Sequence, residues 1–502
     1  MLLAFGLTAV RLTALFVTPL ELYPDEAQYW LWSRTLDWGY FSKPPMIAWT
    51  IWATTALGGD TEAWVRLAAP VYHLGATLAV FGIGRRLYGP SVGFAACALY
   101  ALMPGVQISS LVIATDAALL FFLSLTLLAY VELHPAEGRR RLLMAAGFGA
   151  ALGLAFLSKY AAVYALIGLA LHLLISKPAR GVWDWRTTGV ALGAFLLILS
   201  PNLAWNAAHG FSTVQHTAAN AAWGGRKLFN LPELGEFLVS QFGVFGPIPF
   251  AVLMGGLALL AVRRRLTDAD LTLLCFSIPP FLIVTTQAFI SRANANWSGA
   301  GYVAGAILVA AWLMRWRAKG WLLGAVASQA LIATVFLACV VSPALAEAIG
   351  AANGFKRAKG WEQTVDAITA RAGAEPGLTA VAVDDRFLFN AAAYYGRDFF
   401  GAVNAPPLKM WVREAHAQNQ AETTDPLTPA TGARVLAASL DLIYRDELAQ
   451  DFQAVSGREI HSVMLDAKRR RRTELFVGEG YAPLPRDPVT GQPPKPKVKS
   501  AE

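Results

Sequence analysis

Charge is scarce in this chain. Only 15% of its 502 residues are Asp, Glu, Lys or Arg, where an ordinary globular domain carries about 25%, and 55% are hydrophobic. That shortage argues against a large soluble enzyme, and a mean hydropathy of +0.44 points to an integral membrane protein. Cysteine is nearly absent. Cys97, Cys275 and Cys339 each sit inside an apolar run, which leaves no disulfide framework and no zinc spacing, so they read as small packing residues. The first residues lack a basic n-region and a small-residue cleavage site. Residues 2–19 therefore read as a retained span rather than a removed signal peptide. No internal repeat of fixed period is present. The one excess is positive charge, net +8. It flanks hydrophobic spans, so the positive-inside rule accounts for it and nucleic acid is not implied as a partner.

What is present is a succession of apolar runs. By the criterion of roughly 18 or more residues there are about eleven. They lie near 2–19, 64–84, 91–110, 113–132, 142–158, 160–176, 187–205, 236–262, 269–290, 297–315 and 320–342. Basic residues fall in alternate loops: Arg85 and Arg86; Arg139 to Arg141; Lys177, Arg180 and Arg186; Arg263 to Arg265; Arg315, Arg317 and Lys319. Basic short loops stay in the cytoplasm. The alternation predicts a cytoplasmic N-terminus, with 20–63, 206–235, 291–296 and everything after about 343 on the other face.

From Ala344 onward charge rises and long apolar runs stop. Residues 360–372 read as an amphipathic helix, and 379–383, 459–465 and 474–477 as strands. The expected organisation is a transmembrane domain over 1–343, a small extracytoplasmic α/β domain over 344–482, and a disordered Pro- and Lys-rich tail over 483–502. The basic run Lys468–Arg472 is either a solvated turn or a contact for anionic headgroups.

Ionisable residues at membrane depth are costly and usually functional. By this topology they gather at the outer ends of spans: Asp25, Glu26, Lys43, Arg66, Asp116, Lys159, His209, His216, Arg226, Lys227 and Arg292, with the polar Asn296 nearby. A carboxylate at the water boundary can act as a general base toward a hydroxyl. Lysine and arginine can hold a phosphate and stabilise its charge as it leaves. Hence Asp25, Glu26 and Asp116 are the catalytic candidates, and Lys43, Lys159, Arg226 and Arg292 the phosphate-binding ones. Tyr29, Trp30 and Tyr40 offer flat amphipathic faces suited to a sugar or to the bilayer interface. Pro44 and Pro45 restrain the backbone beside Lys43. With Arg66, His209, His216 and Asn296 these residues are candidates to line the substrate. Plainer readings stand beside these: a helix cap for Asp25 and Glu26, an interfacial belt for the aromatics, a snorkelling anchor for Lys159. His209 and His216 lack a clear third ligand for a metal.

The order of features resembles the GT-C superfamily of polyprenyl-phosphate-sugar-dependent glycosyltransferases, in its bacterial branch of lipid A aminoarabinose and galacturonic acid transferases. The residues that carry the resemblance are "PDEAQYW", "GYFSKPPMIAW", "ATDAALLFF", "LAFLSKYA", "SPNLAWNAAHGF" and "NANWSGAGY", spread over roughly 1–320. The resemblance implies an α-helical polytopic GT-C fold with juxtamembrane helices in the first external loop. It implies an inverting transfer of sugar from a polyprenyl-phosphate donor to a hydroxyl of lipid A, lipopolysaccharide, another envelope glycan or protein, at the periplasmic face of the bacterial inner membrane. It assigns Asp25 as catalytic base, Lys43 and Lys159 to the donor phosphate, and Asp116 as a second acid. Two positions depart from the aminoarabinose pattern, Gln28 for an arginine and Ser42 for a glutamate. The second weakens the case for a divalent metal, the only cofactor in question. A transporter or flippase of a lipid-linked anion is the competing class. It fits less well, because such proteins set polar groups near the midplane of duplicated halves.

Overall fold

The computed structural model describes residues 1–219, 229–263, 266–440 and 442–496. The chain forms two compact units, one of residues 1–18 and 36–341, the other of 19–35 and 342–502. The short segment after the first helix thus joins the C-terminal unit, a grouping that a single boundary at 343 does not capture.

The first unit is helical. Seven helices are long and apolar enough to cross a membrane: Glu62–Tyr88, Thr115–Leu133, Gly138–Ser158, Trp185–Ala208, Asp268–Ile290, Ala295–Arg315 and Lys319–Val341. The chain is a multi-pass membrane protein. Three other expected spans are shorter apolar helices, Leu2–Val17, Pro90–Leu102 and Tyr160–Ile175. At 1.5 Å per residue each falls short of the roughly 30 Å hydrocarbon layer. The expected span at 91–110 stops at Leu102 because Met103 is extended ahead of Pro104. The run at 236–262 is a helix pair, Leu231–Val244 and Pro247–Val262, bent by 116°. The cause is local. Gly246 has φ 103°, open to glycine alone, and Pro247 brings no N–H. The Phe245 carbonyl instead accepts from Gln329 Nε2 at 2.8 Å, as apolar surroundings require.

Helix packing rests on small residues. A Cβ on Gly149 would lie 2.0 Å from the Ala191 carbonyl oxygen, so the two helices touch backbone to backbone there. The Gly299–Arg315 helix is buried on all sides, with Tyr302, Ile307 and Trp312 in the core. Leu197 and Leu323 on the peripheral helices are exposed, which in this setting means lipid-facing. One end of the bundle is tied by a closed clamp. Arg315 meets the Asp270 carboxylate through Nη1 at 2.7 Å and Nη2 at 3.0 Å, and Tyr88 Oη donates to it at 2.8 Å.

The second unit has a five-stranded sheet in the order β2-β1-β3-β5-β4, with β1 Ala380–Val383, β2 Leu408–Met410, β3 Arg434–Ser439, β4 Phe452–Met464 and β5 Arg470–Tyr481. β1 is parallel to β2 and β3, and β5 is antiparallel to β3 and β4. Alternation along β5 sends Leu475 and Val477 to one face and Phe476 to the other, and both faces are covered. The Trp361–Ala374 and Arg386–Tyr395 helices cover the first. The Pro24–Ser33 helix packs on the Arg386–Tyr395 helix, with Trp30 edge-on to Tyr394 at 4.9 Å and the Leu22 amide donating to Tyr395 Oη at 2.8 Å. Part of the expected disordered tail is ordered. Arg486 Nη2 binds Asp451 Oδ2 at 2.8 Å, and the Ala415 amide donates to the Gly491 carbonyl at 2.9 Å.

Candidate functional site

In the first unit the helix ends opposite the Asp270 clamp bring together three residues distant in sequence. Asp116 lies in the first turn of Thr115–Leu133, where the positive end of the helix dipole favours a carboxylate. Lys159 follows the last residue of Gly138–Ser158 in extended conformation. Its Nζ donates to Asp116 Oδ1 at 2.9 Å and Oδ2 at 3.1 Å. Asn296 Nδ2 approaches Oδ2 at 3.4 Å. The two charged side chains are 21% and 22% exposed, so the pair is sheltered yet open to a ligand. Leu123 and Leu127, further along the Asp116 helix, line a small crevice with Tyr164, Phe276 and Val303 from three other helices.

The loop that carries Lys43 is fastened at several points. Asn202 Nδ2 donates to the Trp38 carbonyl at 2.6 Å and Thr213 Oγ1 to the Tyr40 carbonyl at 2.6 Å. Asp37 receives Trp205 Nε1 on its carboxylate at 2.7 Å and Trp49 Nε1 on its carbonyl at 2.9 Å. The Tyr40 amide closes a turn on the Lys43 carbonyl at 3.1 Å. Tyr160 Oη bridges Asn202 and Asn206 at 2.9 Å each. The "SPNLAWN" stretch is therefore a fastening strip for the Lys43 loop. Asn202, Trp205 and Asp37 had no assigned role in the sequence, although the motif itself was visible.

The other candidates of this unit take varied places. Tyr40 and Pro44 are buried. Arg66 is buried at the end of the short Glu62–Arg66 helix. The His209 ring stacks on Trp205 at 4.1 Å and its Nδ1 lies 2.8 Å from the Trp205 carbonyl oxygen. His216 is edge-on to Phe41 at 6.0 Å. Arg292 is exposed, and its carbonyl accepts from Gln287. Arg226 and Lys227, like Arg264 and Arg265 of the basic loops, lie outside the described residues.

In the second unit the two adjacent acids part ways. Glu26 is fully buried and its Oε2 accepts the Tyr23 amide at 2.8 Å, closing a capping box on the Pro24–Ser33 helix. Asp25 is exposed. Its carboxylate meets Arg386 Nη1 at 3.4 Å, and the same Nη1 donates to Gln28 Oε1 at 3.0 Å. Tyr29 and Trp30 are buried in the packing of this helix, Tyr29 against Trp32 at 5.5 Å. Arg386, 361 residues downstream of Asp25, carries no signal in the sequence that would pair it with an acid.

Among the described residues no group of three or more His, Cys, Asp or Glu is arranged to hold a metal ion. Ser42, where the related pattern has glutamate, offers no carboxylate. Among the described residues the donor set does not fit a resident divalent metal.

Residues 42–205 match the family model of dolichyl-phosphate-mannose-protein mannosyltransferases. The lipid A galacturonosyltransferase RgtD of Rhizobium johnstonii is 40% identical over 315 residues, a stretch covering 62% of this chain and 65% of that protein. The chain thus spans about two thirds, and no more, of that relative's length. Two crystal structures of ArnT from Cupriavidus metallidurans share the fold along nearly the whole chain. The apo form gives TM-score 0.64 at 18% identity, and the form bound to undecaprenyl phosphate 0.65 at 17%; each alignment covers 94% of this chain and 97% of the other. In fold over nearly its whole length, and in sequence over residues 42–205 and the 315 residues aligned with RgtD, the chain resembles the GT-C superfamily of glycosyltransferases.

Proposed function

We propose that this protein is an inverting glycosyltransferase. It moves a sugar from a polyprenyl-phosphate donor to a hydroxyl on lipid A or a related envelope acceptor. The observation that carries the reading is the Asp116–Lys159 pair, sheltered but open at the ends of membrane helices, within the stretch that matches a lipid-phosphate-sugar transferase family. An ammonium in such surroundings interacts strongly with a phosphate as its negative charge grows. Asn296 adds a neutral donor beside it.

The chemistry is a direct displacement. The acceptor oxygen forms a bond to the anomeric carbon while the bond from that carbon to the phosphate oxygen breaks, its electron pair going to the phosphate. The family resemblance assigns the hydroxyl proton to the Asp25 carboxylate. Lys43, in its fastened loop, and Lys159 stabilise the departing phosphate. The basic loops favour a cytoplasmic side for the Asp270–Arg315 end, which supports a reaction at the periplasmic face of the inner membrane.

Purified protein in lipid vesicles, given radiolabelled sugar on undecaprenyl phosphate and lipid A, tests the reading. Wild type transfers label, and Asp25→Asn lowers the rate at least about a hundredfold, the scale of a general base. Equal transfer by both removes Asp25 from the chemistry. Absence of transfer from every polyprenyl-phosphate donor overturns the assignment.

A further inference from the structure

We propose that the outer end of the β4–β5 hairpin, in the C-terminal unit, docks on the anionic headgroup layer of the bilayer. The inference goes beyond the catalytic reading and does not depend on it.

The fold divides the basic run Lys468–Arg472. Arg469 Nη1 is held by Asp466 Oδ2 at 2.9 Å. Arg471 turns to the helix-covered face of the sheet, with its guanidinium 3.5 Å from the centre of the Trp361 ring. Lys468, Arg470 and Arg472 are exposed, and none of the three meets an acid within salt-bridge distance among the described residues. Glu474, on the same face as Arg470 and Arg472, is already taken. Its carboxylate receives Arg445 Nη1 at 2.8 Å and Arg458 Nη1 at 3.1 Å.

The neighbours of these cations decide between a solvated turn and a lipid contact. Residues directly opposite in an antiparallel pair share a face. The register sets Met464 opposite Arg470, Ser462 opposite Arg472 and Ile460 opposite Glu474. Ile460 and Met464 are each 61% exposed. One face of the hairpin end therefore carries two uncovered apolar side chains beside two unpaired arginines. Solvation accounts for the cations and leaves the apolar pair unexplained. Headgroup contact accounts for both, with the apolar groups entering the boundary and the cations meeting phosphates.

The face is also preformed. Asp466 Oδ1 accepts the Lys468 amide at 2.8 Å and the Arg469 amide at 2.9 Å, and the Leu465 amide donates to the Arg469 carbonyl at 2.9 Å. Little order has to be gained on docking. Lipid is close by connection. The chain passes from the Lys319–Val341 helix directly into this unit at Ser342, and from the Leu2–Val17 helix into it after Thr18. Two such tethers raise the effective concentration of headgroups around the unit. A second copy is a poorer occupant, because a two-fold contact through this face sets the arginines against their own copies.

The test places a fluorophore on Ser462→Cys of the full chain; the three native cysteines are buried. The protein is held one copy per lipid nanodisc, in phosphatidylcholine alone or with about one third phosphatidylglycerol, and quenched with uncharged acrylamide. Anionic lipid should lower the quenching constant at least about threefold. Salt near 1 M, where the screening length is about 3 Å, should restore most of it. Lys468→Gln with Arg470→Gln and Arg472→Gln should abolish the protection, and Arg470→Lys with Arg472→Lys should keep it. Ile460→Thr with Met464→Thr should weaken it. Equal quenching in the two lipids, or protection that survives the triple glutamine variant, overturns the inference. So does equal protection of a probe on Val403→Cys, a fully exposed position ahead of β2 at the other edge of the sheet. Protection that appears only with two copies per disc would make a second copy the occupant and overturn it as well.

Discussion

Two acid–base pairs at opposite ends of the membrane unit are built differently. At one end Asp270 is fully buried, grips Arg315 through two parallel bonds and accepts a third from Tyr88. At the other, Asp116 and Lys159 are each about a fifth exposed, and the one further side-chain donor to the carboxylate among the described residues is Asn296 at 3.4 Å. The first arrangement satisfies its charges from within and joins three helices. The second leaves ammonium protons and carboxylate lone pairs for a ligand. On the proposed function, equal residue chemistry serves cohesion where it is closed and recognition where it is open.

The largest effect expected from this contrast is on turnover at the open pair. Lys159→Met keeps the length and apolar stem of the side chain and removes the charge. Transfer from the polyprenyl-phosphate donor should fall about 10²–10³-fold, the scale seen when one transition-state donor is lost. Thermal unfolding in detergent should move little, because the pair is not fully buried. Retained turnover with a lowered Tm would make Asp116–Lys159 a second clamp and abolish the distinction.

The closed pair should behave in reverse. Asp270→Asn leaves Arg315 and Tyr88 without their anionic acceptor. Breaking a fully buried pair costs about 3–5 kcal/mol, and the partial exposure of Arg315 brings the expected loss to about 2–3 kcal/mol. Denaturation midpoints should fall accordingly, while the rate per folded molecule stays close to wild type. A variant with wild-type stability and lost activity would move function to the wrong end of the bundle.

How much of this was legible follows the range of the interactions. Apolar runs, alternating basic loops and ionisable residues at span ends are local signals, and they mark Asp116, Lys159 and Lys43 without any structure. The α/β character of the C-terminal part was legible for the same reason, since alternation in 474–477 and 379–383 shows within a few residues. The bend near Gly246 was masked by a continuous apolar run, although the Gly–Pro pair is a breaker. The separation of Glu26 from Asp25 was hidden because the capping box starts at Tyr23 rather than at Ser or Thr. Arg386 was out of reach altogether. Its contact with Asp25 depends on how the Pro24–Ser33 helix docks in the C-terminal unit, and nothing in "DDRFLF" beyond a helix start announces it.

A buried acid with no cation beside it among the described residues sharpens the comparison further, at the smallest expected effect. Asp384, in the C-terminal unit, is buried beside β3. Ser439 Oγ donates to its Oδ2 and the Leu440 amide to Oδ1 at 3.1 Å, while the Asp385 charge opposes ionisation. Burial pushes its carboxyl up to about 7. The folded state therefore keeps this proton to higher pH than the unfolded chain does. Its contribution to stability is present at low pH and is lost as pH rises from the ordinary carboxylate range through about 7. Between pH 6 and 7 the loss should be about 1 kcal/mol. Asp384→Asn carries no titrating proton, so the difference in stability between wild type and variant should shift in the variant's favour across that interval. Parallel pH curves for the two proteins would mean that Asp384 ionises in the fold at no cost. Burial without a cation would then not be what separates it from Asp270, whose charge Arg315 offsets.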